Sequence, residues 1–254
     1  MQHASRLKLF RVLLVLGLVA LVGIATAQGI TLPHVTVGVD GGAKQGDVAS
    51  SLQILALLTV LSLAPAILML TTAFTRIVII LSFLRQALGT PSIPPNQVVI
   101  GLSLFLTFFV MAPTYNEVNT KAIQPLMSKK ITTQQAMDAA SKPMKAFMLK
   151  NTYEKDLVLF MNIRHETAQT ADQVSIVTLI PAFIISELKT AFVVGFYIFI
   201  PFLIIDLIVA SSLMSMGMMM LPPTIVSLPA KILVFVLANG WTTLIAAIMA
   251  GYST

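Results

Sequence analysis

Residues 181–223 read PAFIISELKTAFVVGFYIFIPFLIIDLIVASSLMSMGMMMLPP, apolar enough for lipid yet interrupted by Glu187, Lys189 and Asp206. A charge in such a segment is costly unless it is paired or faces a water-filled interior. The stretch must therefore form either one wall of a larger protein assembly or the lining of a path that something polar crosses. It ends in Met218, Met219 and Met220, directly before Leu221 and Pro222-Pro223. The surrounding chain is of one kind with it: 57% of residues are hydrophobic and only 10% charged. Soluble domains average about 25% charged, so the chain belongs with membrane proteins.

From the N-terminus, residues 1–27 read as a cleaved signal peptide. Arg6, Lys8 and Arg11 precede an apolar core from Val12 to Ile24, and Ala25-Thr26-Ala27 offers small residues at a cleavage site before Gln28. The core is shorter than the ~20 residues a span needs. Cleavage there predicts a mature N-terminus outside the inner membrane. Without those three cations the net charge of +6 falls to +3, too small and too scattered to indicate nucleic acid. Residues 28–50 are a polar lead that reads as a linker. GGAKQGD fails the phosphate-loop spacing, in which Lys directly follows the last Gly.

Residues 51–112 read as an apolar helical hairpin. Leu52–Leu84 carries Arg76, and Pro65 is expected to kink it. Pro91, Pro94 and Pro95 supply the turn, and Val98–Ala112 is the second arm, ended by Pro113. Residues 113–173 predict a small water-facing helical domain of mixed charge. Thr132 and Gln135 form a capping box. Met137, Met144, Phe147 and Met148 suggest one apolar stripe, and Leu157, Phe160 and Met161 a second. His165-Glu166 opens like a zinc-protease motif, but Gln169 replaces the second His, which leaves two solvent-facing residues as the better reading. Residues 174–254 complete the chain with C-terminal apolar helices and a Met turn at 217–223. Pro181 and Pro201 are the natural breaks, and Ile232–Ala250 is the cleanest span-length segment.

No phosphate loop, no Cys or His ligand set and no Ser/His/Asp arrangement is present, and there is no cysteine, so an enzyme, a metal site and a cofactor are not expected. Three successive Met on a helix point ~100° apart and cannot share a face. In a turn fixed by Gly217 and Pro222-Pro223 they can project into one opening. Copies set around an axis then form a ring of flexible, polarizable side chains that seals against small solutes and deforms around a polypeptide. The residues alone leave a second reading open, a solute transporter with paired charges at its midplane, although no internal repeat supports it.

Four stretches, TRIVIILSFLRQALGTPSIPPNQVVIGLSLFLTFFVMAP (75–113), KPMKAFMLKNTYEKDLVLF (142–160), PAFIISELKTAFVVGFYIF (181–199) and PFLIIDLIVASSLMSMGMMMLPP (201–223), carry a resemblance. The chain resembles the FliP/SctR family of type III export proteins. Val193, Ser212 and Asn239 depart from that family's usual residues. The Leu221-Pro222-Pro223 ending is more similar to the flagellar branch than to the injectisome branch. The resemblance implies an all-α membrane-associated protein of two helical hairpins with an inserted small helical periplasmic domain. Five copies would assemble into a helical ring raised partly out of the bilayer. The implied function is a core subunit of the flagellar export gate, and the implied gasket is Met218, Met219 and Met220. Implied partners are FliQ, FliR, further copies of the chain, FlhB, FlhA, the basal-body MS ring, unfolded export substrates and inner-membrane lipid. Arg76, Glu187, Lys189, Asp206 and Lys231 are candidate buried or intersubunit charges, with their pairing left open.

Overall fold

The structure is a computed structural model and describes residues 45–90, 92–168, 170–218 and 220–253. The signal peptide, most of the polar lead, Pro91, Gln169 and Met219 lie outside the described residues. The chain divides into two units after Leu55. The first contributes the opening turns of α1 (Gln45–Leu70), and the second, from Ala56, holds the packed helices.

Every described element is helical. After α1 come α2 (Phe74–Ala87) and α3 (Asn96–Val118), then a π-helical turn (Asn119–Ile123) and the short α4 (Gln124–Met127). Next are α5 (Thr133–Lys150), α6 (Glu154–Ile163) and a single 3-10 turn (Ala171–Gln173). The remainder is α7 (Ile176–Ser215), α8 (Pro223–Leu237) and α9 (Gly240–Ser253).

The core follows from one stripe. Ala73, Ile77, Ile80, Leu81, Leu84 and Ala87 recur at three- and four-residue steps, so they line one face of α2, and all are buried. Ala191 and Phe202 of α7, Val99 of α3, Phe235 of α8 and Leu244 and Ile248 of α9 close over that face. A second cluster joins Met148 of α5 and Leu157 of α6 to Val174, Leu179, Ala182 and Phe183. It seats the small helical region on the first turns of α7. The expected capping box is present: Gln135 N–H donates to Thr132 Oγ1 (3.3 Å), and Thr132 N–H donates to Gln135 Oε1 (2.9 Å). Of the expected stripe on α5, Met148 is buried, Met144 and Phe147 are half-buried, and Met137 faces outward.

Proline placement misleads in this chain. Pro113, Pro181 and Pro201 all lie inside helices that continue past them. Pro113 does not end the second arm: α3, the π turn and α4 form one helical run over Asn96–Met127. Likewise Ile176–Ser215 is a single helix, not two. A proline forfeits one ladder bond, which a long helix tolerates when its flanks are packed and its neighbours re-satisfy the freed groups. The breaks fall elsewhere. One is at Thr71–Ala73, where Thr71 Oγ1 donates to Ile67 O (2.9 Å) and Thr75 Oγ1 to Met69 O (3.1 Å). The other is at Ala238–Asn239, where Asn239 takes φ +48° and α8 meets α9 at 63°. Ile232–Ala250 is therefore not a straight span. Among the described residues two helices are long and apolar enough to cross a membrane alone, or up to four spans exist if each bent pair counts as one.

Gly195 of α7 lets Phe83 of α2 pack directly on its backbone. A Cβ there would lie 2.5 Å from Phe83 Cδ2 and 3.1 Å from Phe83 Cβ, near the root of the side chain, where it cannot swing clear. Small residues let helices meet this closely. Gly195→Ala is expected to destabilise by about 1–3 kcal/mol through overpacking. Adding Phe83→Leu should recover much of the loss. Denaturant titration of the purified variants checks both, and an unperturbed midpoint for Gly195→Ala would contradict the packing.

Candidate functional site

Three charge pairs fasten α7, two of them close together and one far along it, and each uses a different partner helix. The first lies on the buried face of α2. Arg76 falls within the Ala73–Ile80 stripe, so the helix that builds the core also drives this cation inward. Its Nη2 pairs with Glu187, and Nη1 donates to Gly251 O (3.2 Å). Glu187 is fully buried and Arg76 is 6% exposed. The Tyr252 hydroxyl donates to Glu187 Oε2 at 2.7 Å, and its ring lies under the Arg76 guanidinium, 4.1 Å from Cζ to centroid. Phe147 stacks near the same ring, with centroids 6.1 Å apart. Residues of α2, α5, α7 and α9 thus converge on one carboxylate, which receives charge-assisted bonds on both oxygens.

About 28 Å further along α7, at 1.5 Å per residue, Asp206 repeats the arrangement with α8. Lys231 Nζ sits 2.6 Å from Asp206 Oδ2 and also donates to Ala87 O at the end of α2 (3.2 Å). Ser227, one turn before Lys231, donates to Asp206 Oδ1 at 2.5 Å.

The third pair joins α7 to α6. Lys189 binds Asp156, which is buried, and Ser186 donates to Asp156 Oδ2 at 2.8 Å while accepting the Tyr153 N–H at 3.0 Å. Burial pushes the Asp156 carboxyl up, but the Lys189 and Ser186 donors outweigh it and hold the group below the usual aspartate range.

A fourth contact corrects the expectation for Glu166. It is not simply solvent-facing: its carboxylate accepts the Thr178 hydroxyl and the Ser175 N–H (2.6 Å), clasping the first turn of α7. Carboxylates suit helix N-termini. The Thr178 hydroxyl, then the Ser175 amide, hold Glu166 below the usual glutamate range. A carboxylate with a depressed folded pKa contributes stability that is present above its unfolded pKa and lost as pH falls through the folded one. Amide protection at Val177–Leu179 is therefore expected to persist at neutral pH and to fade only below the ordinary glutamate range. In Glu166→Gln it should be lower and flat with pH. Hydrogen exchange across acid pH reads this, and identical profiles for the two proteins would refute the clasp.

All five predicted charges thus take part in pairs within the chain. The sequence did not reveal Asp156, Ser186, Ser227 or Tyr252 as their partners. Ser186 and Ser227 lie three and four residues before Lys189 and Lys231, on the same helix faces, and that spacing was the available signal.

The Met turn has a different character. Gly217 takes φ +74°, a left-handed conformation that favours glycine, and reverses the chain after α7. Met220 is 99% exposed, and Met218, at 41%, is only partly covered by the rest of the chain. Apolar side chains nearby also point outward, including Leu207, Ile208, Met214, Met216 and Ile225. Contiguous apolar exposure of this kind marks a surface meant for lipid or protein.

Long apolar helices, cross-braced by buried ion pairs and leaving broad apolar faces uncovered, define a helical membrane protein. The profile of the FliP family matches residues 57–248, and the chain belongs to that family. It is 56% identical to the flagellar biosynthetic protein FliP of Bacillus subtilis (strain 168), over 81% of this chain and 94% of that protein. The protein of the same name from Aquifex aeolicus (strain VF5) is 46% identical over 82% of this chain and 88% of its own length. That of Rhizobium meliloti (strain 1021) is 43% identical over 94% and 97%.

Proposed function

We propose that this chain is a core subunit of the flagellar type III protein export gate. Family membership and the flagellar biosynthetic proteins it is similar to support a role in flagellar biosynthesis. The observation that carries the gate reading is the outward Met turn. Met218 and Met220 are exposed at a glycine-fixed reversal between two apolar helices, where a self-contained bundle would bury them.

In this reading the signal peptide is removed and the mature chain sits in the bacterial inner membrane, with the 113–173 region on the periplasmic side. Five copies join FliQ and FliR in a ring within the basal body, next to FlhB and FlhA. The uncovered faces of α1, α3, α7 and α8 bury mostly against neighbouring subunits rather than lipid. Met218, Met219 and Met220 from each copy converge on the axis and close it. Unfolded flagellar proteins part the ring and pass, driven by other components, and thioether side chains re-form the seal around them.

Particle images of the complex purified in mild detergent test this directly. The expected result is a closed ring with the Met turns on its axis. A monomer or dimer, with the turn at its periphery, would overturn the reading.

A further inference from the structure

Arg85 lies in the last turn of α2 beside a groove between α2, the start of α3 and the start of α9. Leu81, Leu84, Leu88, Val99, Leu102 and Trp241 wall it as a narrow surface cleft open to the outside. Apolar side chains continue outward beside it: Ile93, Val98 and Leu237 are all exposed. Trp241 is 42% exposed.

Charge separates this groove from the other uncovered apolar faces. The buried cations of the bundle, Arg76 and Lys231, each meet a carboxylate. Arg85 does not. Its Nη1 donates to Asn96 Oδ1 and, at 3.5 Å, to Pro94 O, both neutral acceptors. Among the described residues no Asp or Glu pairs with it. A guanidinium presents five donors in a planar fork that fits the two oxygens of a phosphate. An Arg at the end of one apolar helix and a Trp at the start of another, lining one cleft, match the pattern of a headgroup-level anchor.

We propose that this groove binds an anionic phospholipid, with the phosphate on Arg85 and an acyl chain laid along Leu84, Leu88, Val99 and Leu102 against the Trp241 indole. The head satisfies the one cation of the groove, and the chain covers its apolar wall. A zwitterionic lipid fits the wall equally well but brings its own cation near Arg85, so selectivity rests on the headgroup.

Trp241 is the only tryptophan of the chain, so it reports on this groove without labelling. The full chain is reconstituted in bilayers containing matched fractions of either brominated phosphatidylglycerol or brominated phosphatidylcholine, and Trp241 fluorescence is read. Brominated phosphatidylglycerol is expected to be enriched at Trp241 about fivefold over brominated phosphatidylcholine, the selectivity of one interfacial cation for an anionic lipid. Arg85→Gln should bring the two lipids to parity while leaving quenching by phosphatidylcholine in place, and Arg85→Lys should retain a preference. Equal quenching by both lipids in the unaltered chain would overturn the proposal. So would a preference that survives Arg85→Gln. Absence of quenching by either lipid would show the groove covered by protein and overturn it as well. The comparison in the unaltered chain decides even where a variant fails to fold.

Discussion

Glu187→Ala is expected to destabilise the chain by about 3–5 kcal/mol, the cost of leaving one member of a buried pair unmatched. Among the described residues the removed carboxylate is the only acid that meets Arg76, and Arg76 is 6% exposed, so solvent cannot replace it. The Tyr252 hydroxyl loses its 2.7 Å acceptor at the same time. Removing both charges is different. Ion pairs taken out of water recover little more than their desolvation, and apolar replacements of similar volume are often neutral or better. Arg76 Nε is buried without an acceptor among the described residues, which lowers the worth of the pair further. Arg76→Met with Glu187→Leu should therefore unfold close to the parent chain, and Tyr252→Phe should cost about 1.5–3 kcal/mol, the worth of one hydrogen bond to a charged group. Unfolding midpoints in detergent give the ordering. If Glu187→Ala shifted stability no more than a surface substitution, about 0.5 kcal/mol, the pair would not be what holds α2 and α7 together.

Replacing Met218, Met219 and Met220 together by alanine is expected to leave the fold intact and open the gate to ions. Met218 and Met220 are exposed in the subunit, so their loss creates no cavity there. Their worth, under the gate reading, is what they fill between copies. Alanine leaves an unfilled axis through which hydrated ions pass, whereas leucine at the three positions restores bulk and much of the closure. Ion flux through the reconstituted assembly should rise for the alanine variant and stay near the parent for the leucine variant, with export of some protein retained. Unchanged flux in the alanine variant would remove the Met turn from the sealing role.

What the sequence disclosed and what it hid have physical reasons. The capping box at Thr132 and the long apolar helices were legible because capping and hydropathy are local, whereas the buried stripe of α2 was hidden in an arm that is apolar on every side. The break at Asn239 was missed because hydropathy ignores backbone conformation, although Asn-Gly is itself a turn signal. Pro113, Pro181 and Pro201 suggested interruptions that packing and helix length override. Each of the five charges was visible as an anomaly in an apolar setting, except that their partners were not. Arg76 and Glu187 are 111 residues apart, and only the fold brings them together. Asp156 looked like one surface acid among six in the small helical region, and its burial beneath Lys189 has no local signature. The Met turn was legible as a cluster, and its outward placement came only with the fold.

The fastenings on α7 also bear on where motion is possible. Its two prolines are the points at which a helix some 60 Å long would ordinarily flex. Pro181 lies between the Glu166 clasp at Thr178 and the Arg76 tie at Glu187. Pro201 lies between that tie and the Lys231 tie at Asp206. Both weak points are held from above and below, so the helix moves as a stiff mast. Deformation at its far end is left to the few residues after Asp206, around Gly217, and any passage that widens there does so by bending the rigging rather than the pole.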